Sequence, residues 1–130
     1  MYLNLNRILL TIAVILSFIG GGCAPLLIGV GVLTGYTLSN DSATGNVKVT
    51  YRELWDISRK VLDKIEDAEI LESNESKGII KAKIAEIDLT IRIDSVGENE
   101  QRLRVSARKY LLPKPQYAQK IFFKIIRELE

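Results

Sequence analysis

Histidine is absent from this 130-residue chain, cysteine occurs once and proline three times. Without histidine there is no Ser-His-Asp triad, no Cys-His nucleophile pair and no imidazole zinc site. The usual acid–base group near neutral pH is also missing. One cysteine, Cys23, can form neither an internal disulfide nor a thiolate cluster. Gly-rich phosphate loops, paired-cysteine motifs and calcium loops are also lacking. Acid–base chemistry would fall to Asp, Glu, Lys or Tyr alone. The expectation is therefore a non-enzymatic protein with no cofactor, no catalytic residues and no bound metal. Eighteen basic residues against 16 acidic ones leave a net charge of +2, too small to imply an overall polyanion partner. A charged fraction of 26% is too high for a multi-span membrane protein, and the length suits one small domain.

Charge is missing locally as well. The 31 residues from Ile8 to Leu38 carry none, every acid lies at or beyond Asp41, and Arg7 is the one charged side chain before it. Ile8 to Ile19 is a 12-residue apolar run, followed by Gly20, Gly21, Gly22 and Cys23. A basic start, a short apolar region and small residues at its end have the form of a secretory signal. As a helix, the run rises only about 18 Å against a hydrocarbon core of about 30 Å. Small residues ending directly in cysteine resemble the bacterial lipoprotein signal, with Gly20 where that signal usually has a leucine-like residue. The resemblance implies a signal peptide over 1–22, cleavage before Cys23, and diacylglyceryl and acyl (palmitate-type) modification of that residue. Two or more acyl chains anchor a protein stably where one does not. By resemblance to sorting in two-membrane bacteria, Ala24 in place of aspartate implies the outer membrane. A competing reading keeps the leader: the twenty uncharged residues Ile8–Leu27 could span a bilayer as a single uncleaved helix.

Residues 23–45 are expected to be a lipidated, Gly-rich apolar tether and linker, with 40–46 polar and turn-like. A globular domain is expected over 46–130. Val47 and Val49 alternate with polar neighbours as a short strand. Thr50 and Glu53 form a capping-box signature, and Leu54, Ile57, Val61, Leu62 and Ile65 recur at helical spacing. Trp55 is expected to be a core residue. From Ala68 the period changes to two, giving strands at 68–74, 80–84, 87–94 and 102–108 separated by turns. Leu111 to Pro115 ends the sheet, and Ala118, Ile121, Phe122, Ile125 and Leu129 share one face of a last helix. The fold class is α+β: a two-layer, four- to five-stranded antiparallel meander with two helices on one face, in the order β-α-β-β-β-β-α.

A lipoprotein-like leader, Gly-rich apolar residues after the cysteine, the Tyr51-Arg52-Glu53-Leu54-Trp55 helix start and an alternating meander resemble the DUF3568 family of small bacterial lipoproteins of unknown function. The resemblance implies location and fold, and carries no catalytic residues.

Eight basic residues and no acid lie between Arg102 and Arg127, whereas Glu53 to Glu100 holds 13 acids. Alternation places Arg102, Arg104 and Arg108 on the wet face of one strand, beside Arg92, Lys81 and Lys83. That face is a candidate for an anionic ligand: a lipid head group, lipopolysaccharide or a cell-wall polymer. The competing reading is a solvated face in which Asp88 and Asp94 pair with the arginines across strands. Nucleic acid is not expected, since the basic strand lacks interleaved aromatics. The sequence thus points to an envelope lipoprotein facing the periplasm, anchored through membrane lipid. Its domain serves structure or interaction, with an envelope protein or anionic polymer as possible partner.

Overall fold

The computed structural model describes residues 2–20 and 32–130. The chain divides into two units, Met1–Gly31 and Val32–Glu130. Cys23, the cleavage site before it and the Gly-rich segment as far as 31 lie outside the described residues.

In the first unit the apolar run is helical, within α1 (Tyr2–Gly20). Leu5, Ile8, Leu9, Leu10, Ile12, Val14 and Ile15 are all exposed. At 100° per residue they cover most of the circumference, leaving a narrow strip of Asn4, Arg7 and Thr11 on one side. Among the described residues no helix is long and apolar enough to cross a membrane.

The second unit is an α+β body with helices packed on an antiparallel sheet. Its elements are β1 (Leu33–Leu38), β2 (Ser42–Val47), α2 (Tyr51–Asp63), β3 (Ala68–Asn74), β4 (Ile79–Ile84), β5 (Ile87–Gly97), β6 (Glu100–Lys109), β7 (Leu112–Pro113) and α3 (Pro115–Leu129). The sheet order is β1-β2-β6-β5-β4-β3, and β7 pairs with β6. The expected meander is β3 to β6, and α2 carries the chain from β2 to the far edge where it starts.

Seven strands replace the expected four or five for two reasons: folding begins earlier than residue 46, and Leu112–Pro113, within the segment expected to end the sheet, adds the short strand β7 beside β6. The segment 40–46, expected to be a linker, is mostly strand: β2 pairs with β6 from Ser42↔Ser106 to Val47↔Gln101. Leu33 to Leu38, expected to be tether, is the edge strand β1, so the folded unit starts at Val32. Val49 lies beyond the end of β2 but is buried.

Helix α2 starts as its capping pattern predicts, with the Thr50 hydroxyl accepting from the Glu53 amide at 3.2 Å. Its inward residues are Leu54, Trp55, Ser58, Val61 and Leu62. Trp55 is buried and stacks on Tyr51. Helix α3 opens on Pro115, which is suited to a first turn, and buries Ala118, Ile121, Phe122, Ile125 and Ile126. Each large side chain among them contributes about 1.5–3 kcal/mol by burial. Beneath the helices lie Ile80, Ala82, Ile84, Leu89, Ile91, Ile93, Leu103, Val105 and Ala107, all buried, as the period-two pattern requires. The buried Gln101 is satisfied: its amide donates to the Val49 carbonyl at 3.2 Å and its oxygen accepts from Ser95. That bond pins the β2–α2 connection to the sheet.

The two ends of the sheet differ. At one end the chain enters at Val32. At the other, two tight hairpins turn through unusual backbone. Ala85 has φ 54° between Ile84 and Ile87, and Tyr110 and Leu111 have φ 51° and 68° between the paired Lys109 and Leu112.

Candidate functional site

The face of the sheet away from the helices is built in cross-strand rows by the register. One row reads Thr37, Thr44, Arg104, Arg92 and Ile79 from β1 to β4, and the row on one side of it reads Asn46, Arg102 and Asp94. Beyond, Ser42, Ser106, Thr90, Lys81 and Glu72 form a third, and Arg108, Asp88, Lys83 and Glu69 a fourth. Alternation therefore brings all six candidate cations, Lys81, Lys83, Arg92, Arg102, Arg104 and Arg108, onto one exposed face.

Their charges are not equally available. Arg108 is held by Asp41, with Nε and Nη2 at 2.9 and 2.7 Å from Oδ2, and its Nη1 donates to the Leu111 carbonyl at 3.3 Å. The Arg108 hydrogen bonds keep the Asp41 carboxyl below its ordinary range against the opposing effect of partial burial, and the Arg104 charge assists. Arg92 pairs with Asp94 at 3.6 Å along its own strand, and Lys81 with Glu72 at 3.6 Å across the β3–β4 edge. The cross-strand pairing expected of Asp88 and Asp94 thus takes a different form. Asp94 turns to Arg92 although it lies opposite Arg102, and Arg108, opposite Asp88, is taken by Asp41.

Arg102, Arg104 and Lys83 make no ion pair among the described residues. Arg104 faces another arginine directly, Arg92, a juxtaposition that repels. The available site is therefore narrower than the whole face: Arg104 and Arg102, two residues apart on β6, bordered by the Thr37 and Thr44 hydroxyls and the Asn46 amide. Guanidinium forks among hydroxyls suit phosphate or carboxylate oxygens.

Two grooves lie elsewhere. One of about 550 Å³, where the C-terminal turns of α2 and α3 meet, is lined by Lys64, Lys124 and Arg127 but equally by Glu66, Asp67 and Glu128. It favours neither sign of charge. Another, of about 600 Å³, has Lys109, Lys114 and Lys120 around Ile87, Pro113 and Tyr117, with no acid in its lining. Among the described residues, no group of three or more His, Cys, Asp or Glu is placed to hold a metal ion.

Asp41 as the partner of Arg108 escapes the sequence reading because the two lie 67 positions apart. The exposed Tyr110, Leu111 and Leu112 also escape it, because a Leu-Leu-Pro sequence reads there only as a sheet terminator.

No family model and no curated protein matches the sequence. Among solved structures the chain is similar to a conserved protein of unknown function from Enterococcus faecalis, at 10% identity and a TM-score of 0.45, covering 74% of this chain and 76% of that one.

Proposed function

We propose that this protein is an envelope lipoprotein, anchored through Cys23 and facing the periplasm, whose folded unit is a non-enzymatic structural or interaction module. The observation that carries the reading is the placement of Cys23. It follows a 12-residue charge-free apolar run and three glycines, and it precedes every acidic residue of the chain. The largely apolar circumference of α1 supports it, since an exposed helix of that kind suits lipid or a translocation channel better than water. The folded unit is consistent with a module: its helices and sheet spend their inward faces on apolar packing, with Ser42, Ser58 and Gln101 as the buried polar residues among those described.

Metabolic labelling with a palmitate analogue tests the anchor. The wild-type chain is expected to take up the label in a bacterium with a lipoprotein pathway, and the Cys23→Ala chain none. A wild-type chain without label, or a variant labelled equally, contradicts the reading.

A second reading, an anionic-ligand surface on the sheet, is favoured by the opposition of Arg92 to Arg104, which has no ion-pair partner among the described residues. A phosphate-bearing ligand would remove that repulsion. The Arg102→Glu/Arg104→Glu chain is expected to lose about tenfold or more in retention on immobilised lipopolysaccharide at low salt. Unchanged retention eliminates the surface as a ligand site.

A further inference from the structure

The hairpin between β6 and β7 is built against the preferences of its backbone. Lys109 pairs with Leu112, leaving Tyr110 and Leu111 as a two-residue loop with both φ values positive. That is the requirement of a type I′ turn, where Asn-Gly and Gly-Gly are strongly preferred. Here the two positions carry an aromatic and a bulky aliphatic side chain, both disfavoured at positive φ. Apart from the Tyr110 hydroxyl, which lies beside Glu86, these side chains are not buried within the fold. Tyr110, Leu111 and Leu112 are 68%, 82% and 64% exposed. Three adjacent large apolar groups held out into solvent on a rigid turn are an outward-facing contact.

What surrounds the tip indicates what it meets. Arg108, Lys109, Lys114 and Lys120 lie around its base, against the carboxylates Asp41 and Glu86. Asp41 is bound to Arg108 and Glu86 to Lys109 at 3.5 Å. Among the described residues Lys114 and Lys120 have no ion-pair partner, Lys120 lying over the Tyr117 ring at 5.9 Å. They outnumber the one unpaired acid nearby, Asp88, opposite Arg108. The Tyr110 hydroxyl lies beside Glu86, and Arg108 holds the Leu111 carbonyl, so the loop is braced from both sides. An apolar point containing a tyrosine, with lysines set behind it, matches the layering of an anionic bilayer. Leucines reach the acyl region, the tyrosine suits the boundary, and the ammonium groups lie at the head-group level.

The geometry points to the Tyr110–Leu111–Leu112 tip, with Lys114 and Lys120, as a second membrane contact that inserts into an anionic lipid surface. It is separate from the Arg102/Arg104 surface and needs no modification of Cys23. By the register, it stands at the end of the sheet opposite the point where the chain enters at Val32.

The test uses the full chain reconstituted in vesicles, with Leu111→Trp as reporter. The native Trp55 is buried in the core and provides a constant background. On vesicles containing brominated phosphatidylglycerol, the reporter is expected to shift to shorter wavelength and to be quenched. Adding Lys114→Glu/Lys120→Glu should lower the quenching about threefold or more. Leu111→Gly separates lipid contact from folding: relieving the positive φ should raise the melting temperature by a few degrees. With Tyr110→Trp as reporter, the same change should lower quenching. A reporter that stays water-like and unquenched in vesicles of either charge overturns the inference, as does a blue shift that depends on protein concentration and not on lipid. Because quenching is measured on chain already recovered with the vesicles, its failure is distinguishable from failure of the Cys23 anchor.

Discussion

Phe122→Ala is expected to destabilise the folded unit by about 3–5 kcal/mol, a large part of the total stability of a domain this size. Phe122 is fully buried, and its ring meets Tyr36 at 5.3 Å and Phe123 at 5.4 Å between centroids. It also fills space that the sheet vacates beneath it. A Cβ added at Gly45 would stand 2.9 Å from the Phe122 ring and 2.6 Å from Leu33 Cδ1. Removing the ring therefore leaves a void over a strand position with no side chain to collapse into it. Urea unfolding followed by Trp55 emission measures the loss. A decrease under about 1 kcal/mol would show that α3 is not seated on β2 as described.

Gly78→Ala should be nearly as damaging, at roughly 2–4 kcal/mol. Gly78 has φ +68°, and an added Cβ would fall 2.1 Å from the Ile93 carbonyl oxygen and 3.0 Å from the Tyr51 hydroxyl. The first neighbour is backbone of a central strand and cannot swing aside. The same pair is joined by the Ile93 amide donating to the Gly78 carbonyl at 2.8 Å, so relief of the clash breaks a sheet bond. The contrast with Leu111 is informative. Both positions have positive φ, but glycine at 78 is required by close packing, whereas glycine at 111 would relieve strain. An unchanged unfolding midpoint for Gly78→Ala would contradict the β3–β4 turn geometry.

The helices and the β3–β6 meander are legible in the sequence because each has one wet and one dry face. Leu54, Val61 and Leu62 recur at helical spacing, and Leu89, Ile91 and Ile93 alternate with Thr90 and Arg92. The β1–β2 hairpin is not legible, for two physical reasons. The irregularity between Thr34 and Tyr36 in β1 breaks the period-two pattern. The inward residues of β2 include the small Ala43 and Gly45, the latter with no room for a Cβ beside Phe122 and Leu33, so Ser-Ala-Thr-Gly-Asn has the composition of a linker. The basic face was legible as a set of residues, since alternation alone places Arg102, Arg104 and Arg108 together. Its division into bound and available charge was not, because Asp41 reaches Arg108 only through the pairing of β2 with β6. The apolar tip was hidden by the same limit: sequence shows Tyr-Leu-Leu, and only the hairpin register shows that all three face outward.

The proposed envelope role depends on Cys23 more than on any residue of the folded unit. The intact mass of the chain purified from its native host tests it most directly. The predicted result is a mature polypeptide beginning at Cys23 and carrying acylglyceryl mass on that residue. A chain that retains Met1 and the leader, with an unmodified thiol at Cys23, would contradict it.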